Sequence, residues 1–201
     1  MNNPKFIIVQ GEESIQGSNA WKEFRKDKIG ASDVATILGV NPWETPLEFF
    51  ERRIHGIEKP KSAAMQRGND LENEARRRIN EKMGRNYQPY VLQSYDNPNL
   101  IVSLDGIYVD EDAVHIIEIK CPGKKTHEIA QSGQIPFYYI PQICYQCMLT
   151  GAETAFYVSW DGMSDDLVMI AYEPNKELCD EISLKVNQFL QDLKELKAPI
   201  G

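Results

Sequence analysis

No stretch of this 201-residue chain approaches the roughly 18 consecutive apolar residues of a membrane-spanning helix. Internal repeats, low-complexity tracts and long Gly/Ser/Pro linkers are missing too. Their absence argues against a membrane span, a solenoid or a string of tethered domains, and the length suits one domain, 1–201, with a substantial core. Phe6-Ile7-Ile8-Val9 is apolar, but no basic leader precedes it and no small-residue cleavage site follows. The expectation is therefore no signal peptide and a cytoplasmic protein, whose four cysteines are thiols rather than disulfides.

A basic excess is also lacking. The formal net charge is −8, which counts against a polyanionic partner, but it is unevenly spread. Residues 1–125 hold 18 Lys/Arg against 19 Asp/Glu, whereas residues 126–201 hold 4 against 11. Positive charge is clustered at Arg52-Arg53, Lys59 and Lys61, Arg67, Arg76-Arg77-Arg78, and Lys120 with Lys124-Lys125. A groove needs local rather than average charge, because the field acts over a Debye length of about 8 Å at physiological salt. Acidity thus weakens a nucleic-acid reading without excluding it.

Several elements can be read from local signals. Gly30-Ala31-Ser32-Asp33 opens a short helix that Gly39 ends, with Ser32 as a polar cap and Val34, Ile37 and Leu38 as core. Asn41-Pro42-Trp43 is a turn, and Thr45-Pro46-Leu47-Glu48 is a capping box that starts a helix through about Arg53. A third helix is predicted over 70–83, with Leu71, Ala75 and Ile79 on one face and Gly84 as its stop. A strand over 87–94 and two hairpins follow, the second joining 154–160 to 167–172 across Asp161-Gly162. A helix over 141–150 lies between the hairpins. The last element, 176–197, is an amphipathic helix burying Leu178, Ile182, Val186, Phe189, Leu190 and Leu193. Helices flanking a mixed sheet make the class α/β (α+β).

The first hairpin carries the chemistry. Leu100 to Val109 and Val114 to Ile119 are rich in β-branched residues, with an acidic tip at Asp110-Glu111-Asp112-Ala113. If Val109 pairs with Val114, the same register sets Asp105 opposite Glu118, where facing Cβ atoms are about 4.5–5.5 Å apart and like charges repel. Alternation puts Glu118 and Lys120 on one face and Ile117 and Ile119 on the other. Glu118 lies within Ile116-Ile117-Glu118-Ile119, a run typical of a strand buried on both sides, and a buried charge needs a partner or a metal. A divalent cation rewards two close carboxylates, and a neighbouring ammonium completes a hydrolytic site. An exposed hairpin with a charged face is the bland alternative, and a one-residue slip would reverse every side chain.

Further along, Glu72 sits beside the apolar stripe of the third helix, and Gln142 and Gln146 are four apart on one helix face. Together, Gly68-x-x-x-Glu72, Leu104-Asp105-Gly106, Glu118-x-Lys120-Cys121-Pro122 and Gln142 resemble the PD-(D/E)xK nuclease superfamily. More narrowly, they resemble the phage lambda exonuclease (YqaJ-like viral recombinase) family. Trp21-x-x-x-Arg25 and Ile29-Gly30-Ala31-Ser32-Asp33 resemble that family's opening segment, so the likeness runs from about Trp21 to Trp160.

The resemblance implies a PD-(D/E)xK fold in which Asp105, Glu118 and the backbone carbonyl of Ile119 bind Mg2+, with Mn2+ as a substitute. Lys120 would position the attacking water and stabilise charge on the phosphate. Glu72 would orient a water or assist a second metal, and Gln142 would hold substrate or nucleophile, with Gln146 as its competitor. Arg25 and Ser32 would receive a terminal 5′-phosphate, Ser32 at a helix N-terminus where N–H groups favour an anion. The implied activity is digestion of one strand of double-stranded DNA from its 5′ end to 5′-mononucleotides, leaving a 3′ single strand for phage-type recombination. A ring-shaped homotrimer and a single-strand annealing protein partner are implied with it.

Three other readings follow from the same residues. Cys144-x-x-Cys147 with Cys121 and Cys179 suggests an iron–sulfur nuclease, but buried thiols are the favoured reading, since a free cysteine often behaves as a small hydrophobe. A structure-specific endonuclease and a non-catalytic DNA-binding domain are the others. His55, His115 and His127 show no ligand spacing and are read as surface or DNA-proximal residues without a site role.

Overall fold

The structure is a computed structural model that describes residues 5–60, 62–110 and 113–197. Lys61 and the hairpin-tip residues Glu111 and Asp112 lie outside the described residues. Its centre is a seven-stranded sheet of β1 (Phe6–Ile8), β2 (Ile29–Gly30), β3 (Gln88–Ser94), β4 (Leu100–Asp110), β5 (Ala113–Lys120), β6 (Thr154–Trp160) and β7 (Leu167–Tyr172). The order is β1-β3-β4-β5-β6-β7, with β2 set beside β4. Pairing is antiparallel except between β2 and β4 and between β5 and β6, so the sheet is mixed as the sequence predicts.

Seven helices surround it: α1 (Asn19–Arg25), α2 (Ala31–Ile37), α3 (Pro46–His55), α4 (Ala63–Met83), α5 (Lys124–Gln131), α6 (Ile140–Thr150) and α7 (Lys176–Lys197). Strand β5 has helices over both faces, which is why its sequence is apolar without alternation. Ile116 joins the larger core, with α2, α6 and α7 contributing Val34, Ile143, Tyr145, Ile182 and Val186. Ile117 and Ile119 enter a second core with Ala75 and Ile79 of α4 and with Val158 and Trp160 of β6. Burying each such aliphatic side chain contributes about 1.5–3 kcal/mol.

The capping box of α3 forms as read: Glu48 N–H donates to Thr45 Oγ1 at 3.3 Å, and Thr45 N–H donates to Glu48 Oε2 at 2.8 Å. Two other starts differ from expectation. Helix α4 begins at Ala63 behind a Ser62 cap rather than at residue 70; its opening turns bury no residue and so show no apolar stripe. Glu72 is therefore mid-helix. Ser32 does not cap α2: Gly30 holds the cap position, and its N–H donates to Asp33 Oδ2 at 2.9 Å. Helices α1 and α5 were not anticipated, since α1 has no buried residue and α5 buries only His127 and Ala130.

The hairpin register is the predicted one, with Val109 opposite Val114 and the pairing running to Gly106↔Ile117. It stops one pair short of Asp105 and Glu118. On the other edge, β4 spends three steps between Leu104 and Ile107 where β3 spends two between Tyr90 and Gln88. This is a β-bulge at Asp105–Gly106, a device that re-aims a side chain and is common beside active sites. It sends both Leu104 and Ile107 to the larger core. A Cβ on Gly106 would lie 2.7 Å from the Ile117 side chain and 2.9 Å from Tyr87 Cβ, so the bulge closes only around a glycine.

Gly106→Ala should accordingly destabilise the protein by about 1–3 kcal/mol, the usual range for overpacking. Gly68→Ala, in α4 with no atom within 4 Å of the added methyl, should instead stabilise it by about 0.5–1 kcal/mol. Urea midpoints of the two variants test the pair, and similar midpoints would remove the packing role of Gly106.

Candidate active site

Beyond Ile117 the strands fork. Glu118, Ile119 and Lys120 continue to pair with β6, at Tyr157, Val158 and Ser159, while β4 turns through its bulge toward β2. The Ile119 N–H would point at β4, and in the fork it donates to Asp105 Oδ2 at 2.7 Å. A carboxylate thus stands where a main-chain acceptor would continue the ladder. This is how Asp105 and Glu118 come together without the direct facing pair that the uninterrupted register implies.

Glu118 is 1% exposed and fully engaged. Lys120 Nζ lies 2.5 Å from its Oε1, Gln142 Nε2 donates to the same oxygen at 2.5 Å, and Gln146 Nε2 donates to Oε2 at 2.6 Å. The two glutamines do not compete. Half-buried Gln142 shares an oxygen with the lysine, and fully buried Gln146 holds the other from the next turn of α6. Lys120 Nζ also stands 5.1 Å from the centre of the Tyr139 ring.

Glu72 arrives from α4, on the opposite face. Its carboxylate takes a hydrogen bond from Arg76 Nη2, while Arg76 Nε donates to the backbone carbonyl of Asp105 and Nη1 to Asn73 Oδ1 at 2.9 Å. Arg76 is buried, unlike the exposed Arg77 that follows it in the basic run Arg76-Arg77-Arg78. Its four-residue spacing from Glu72, beside the Ala75/Ile79 stripe, was the available signal. Arg67 was missed as well: Nη1 donates to the carbonyls of Cys121 at 2.8 Å and Pro122 at 3.2 Å, pinning the chain just after Lys120.

The electrostatics follow from this crowding. Burial, then the charges of Glu118 and Glu72, push the Asp105 carboxyl well above the usual carboxylate range, against the pull of Lys120 and the Ile119 N–H. Burial also raises Glu72, more than Arg76 lowers it. For Lys120 burial opposes the charge, yet Glu118 and Asp105 carry the ammonium above the ordinary lysine range, so it stays protonated at neutral pH.

Arg25 and Ser32 also meet. Arg25 Nη2 lies 3.3 Å from Ser32 Oγ and 2.8 Å from Asp33 Oδ1, and the guanidinium stacks over Trp21 at 5.1 Å. Burial disfavours the Asp33 charge, but Arg25 and Arg53, with the Gly30 N–H, hold its carboxyl below the usual range. Asp33 therefore already answers the positive end of α2, and any anion here depends on the arginines rather than on the helix terminus. Buried Arg53 Nε has no hydrogen-bond partner. Helix α6 ties the two places together, because Tyr145 Oη donates to the Ile29 carbonyl at 3.2 Å.

The donor set of the fork suits a hard cation. Asp105, Glu118 and the Ile119 carbonyl offer oxygen, and the repulsion that raises Asp105 is relieved by positive charge. Among the described residues no group of three His, Cys, Asp or Glu side chains could hold a metal ion. Two carboxylates and one carbonyl are a set that Mg2+ could use, since it takes one or two carboxylates and keeps several waters.

The cysteines are free thiols in separate settings. Cys144 Sγ lies 3.5 Å from Cys179 Sγ, whereas Cys121 belongs to the second core. Burial pushes Cys121 up to about 11 and Cys144 and Cys147 up to about 12, and Cys121 lies in a different core from the other two, apart from the set an iron–sulfur cluster would need. His127 is not a surface residue: it is 3% exposed, with Nδ1 2.9 Å from Ser159 Oγ.

The two acidic residues should respond oppositely to neutralisation. Asp105→Asn removes a repelled charge and should leave metal-free stability equal or higher. Glu118→Ala strands the Lys120 ammonium and two amides, and should cost about 3–5 kcal/mol. Melting in EDTA distinguishes them, and equal losses would contradict the geometry of the fork.

Comparison with known proteins gives the family and the fold. The YqaJ-like viral recombinase domain model matches residues 20–153. The uncharacterised protein YqaJ of Bacillus subtilis (strain 168) is 25% identical over 190 residues, covering 92% of this chain. The chain spans 59% of the length of that curated relative. Among solved structures, the alkaline exonuclease LHK-Exo of Laribacter hongkongensis aligns with a TM-score of 0.76 at 28% identity, over 90% of this chain and 95% of that one. The structure of LHK-Exo in complex with dAMP gives a TM-score of 0.77 over the same shares. A phage-related exonuclease of Haemophilus somnus 129PT shares the fold, with a TM-score of 0.61 at 15% identity over 84% of this chain and 94% of that one. The architecture is the lambda-exonuclease-like nuclease fold, and the chain belongs to the YqaJ-like viral recombinase domain family.

Proposed function

We propose that this chain is a Mg2+-dependent 5′-to-3′ exonuclease that digests one strand of linear double-stranded DNA to 5′-mononucleotides. The remaining 3′ single strand would feed homologous recombination with a single-strand annealing protein, the enzyme working as a ring-shaped homotrimer in the cytoplasm. The carrying observation is the fork, where Asp105, Glu118 and a protonated Lys120 stand together in a half-dry notch. The family match and the likeness to an exonuclease whose structure was determined with dAMP support the reading. Among the described residues, no helix is long and apolar enough to cross a membrane.

Asp105, Glu118 and the Ile119 carbonyl would hold the cation, with Mn2+ as a substitute. When bound, Mg2+ supplies Lewis-acid polarisation of the phosphodiester and lowers the pKa of water. The chain's own residues do the rest. Gln142 and Gln146 fix the Glu118 carboxylate so that it need not reorganise during reaction. Lys120, held as an ammonium by Glu118 and Asp105, would orient the attacking water and meet the negative charge that grows on the phosphate. Glu72, raised by burial and half-exposed, is placed to orient a water or accept its proton. Arg76 keeps Glu72 and the Asp105 backbone at a fixed separation. Arg25, helped by Ser32 and Arg53, would bind the 5′-phosphate, near the β2 strand that Tyr145 of α6 holds.

Timed digestion of end-labelled linear duplex with and without Mg2+, beside a covalently closed circle, tests the reading. Loss of the linear substrate alone, and only with the cation, is expected; cleavage of the circle would make the protein an endonuclease. Lys120→Ala should keep DNA binding and lose turnover by at least about a hundredfold, a typical loss for a preorganised charge stabiliser. Lys120→Arg should not restore it fully, since a planar fork cannot replace a compact ammonium. Unchanged turnover at saturating DNA would reduce the lysine to a phosphate contact.

Arg25→Ala should slow digestion of 5′-phosphorylated duplex far more than of 5′-hydroxyl duplex. Ser32→Ala should act in the same direction, more weakly and without a capping penalty, since Gly30 is the cap. Equal slowing on both substrates would make Arg25 a general backbone contact.

A further inference from the structure

Next to Lys120 stands a row of aromatic rings that the hydrolytic site does not use. The turn before α6, Phe137–Tyr139, supplies three of them, and Trp43 joins from the turn between α2 and α3. Trp43 and Phe137 are 64% and 62% exposed. Each packs edge-on against Tyr138, with ring centres 5.0 and 5.4 Å away and interplanar angles of 77°. Tyr138 meets Tyr139 at 4.5 Å, and Tyr139 lies beneath the Lys120 ammonium. The row therefore runs without a break from open surface to the ammonium of the candidate active site.

Two large rings left open to water, both packed against Tyr138, are an unusual use of apolar area, since sizeable exposed patches mark interaction sites. Their edge-to-face contacts hold them in place, and an aromatic side chain has only two torsions to lose, so a flat ligand would be received at small entropic cost. The location restricts the ligand. A cation at one end and aromatic faces at the other match a nucleotide strand, with phosphate on the lysine and bases on the rings. Stacking of this kind tolerates any sequence, because every base has a π-face.

We propose that Trp43, Phe137 and Tyr138 form a stacking surface for the unpaired nucleobases of a DNA strand whose phosphates pass Lys120. The choice of occupant rests on the nuclease reading above. The surface gives a frayed duplex end somewhere to place its bases, so that opening the last pairs is offset where the phosphate must enter the fork.

The full chain in EDTA, which prevents hydrolysis, is titrated with a short labelled oligothymidylate and with an abasic strand of equal length. Trp43→Ala and Phe137→Ala should each weaken oligothymidylate binding about five- to hundredfold, the range for losing one stacked base, and leave the abasic strand unchanged. Trp43→Phe, which keeps a flat ring, should retain most of the preference for bases. Equal weakening of both strands, or no change in either, would overturn the proposal. So would unaltered oligothymidylate binding with a changed sedimentation coefficient, since the row would then be a contact between copies of the chain. A wild-type protein that prefers bases yet hydrolyses nothing would refute the nuclease reading and leave the stacking surface standing; an active enzyme blind to bases would do the reverse.

Discussion

A carboxylate buried in the middle of a sheet is expensive, and much of this structure is organised around making Glu118 tolerable. An unpaired charge in such a place costs several kcal/mol. Lys120 answers it two residues along the same strand, and α6 is laid over that face so that Gln142 and Gln146 reach both oxygens. The position of α6 then fixes more than the carboxylate. Through Tyr145 it holds β2, and through the turn before it Tyr139 is set beside the lysine. The arrangement keeps a fixed negative charge where water is scarce, which is what makes it useful to a cation and costly to an unliganded fold.

The two faces of the sheet divide the work. The α6 side supplies neutral amide donors that hold Glu118 without neutralising it. The α4 side supplies Glu72 with its own counter-ion, Arg76, so that negative charge enters already balanced. Arg76 ends on a backbone carbonyl of β4, and Arg67 on carbonyls beyond β5, so α4 grips both prongs of the fork. The acidic average of the chain coexists with local clusters of cations: much of the surplus charge belongs to residues 126–201, while Arg67, Arg76 and Lys120 lie at the fork and Arg25 and Arg53 beside Asp33.

What the sequence disclosed was whatever a short window determines. Ile116-Ile117-Glu118-Ile119 announced a strand covered on both faces, Val109 and Val114 set the hairpin register, and Thr45 with Glu48 marked a helix start. Asp105, Glu118, Lys120, Glu72 and Gln142 converge as the motif order implied, and so do Arg25 and Ser32. What stayed hidden depends on contacts between distant segments. The bulge at Asp105–Gly106 is defined by the mismatch with β3, which no window around Gly106 contains. His127 looked peripheral because α5 has too few buried positions to show a period, and its partner Ser159 lies on β6. Arg76 was concealed by two neighbours of the same type, and the start of α4 by opening turns that bury no residue.

The glycine-centred bulge also bears on how the chain reaches its native state. A hairpin of Val and Ile residues can pair in more than one register at little cost, and a slip of one residue reverses its faces. Here a slip of β5 would carry Glu118 away from both glutamines, and a slip of β4 would press a bulky residue against Tyr87 where only Gly106 fits. Misregistered molecules would therefore suffer either uncompensated charge or steric conflict. The groups that equip the fork for chemistry double as a proofreading step in folding, so that a molecule able to assemble its site has, by the same contacts, rejected its nearest misfolded competitor.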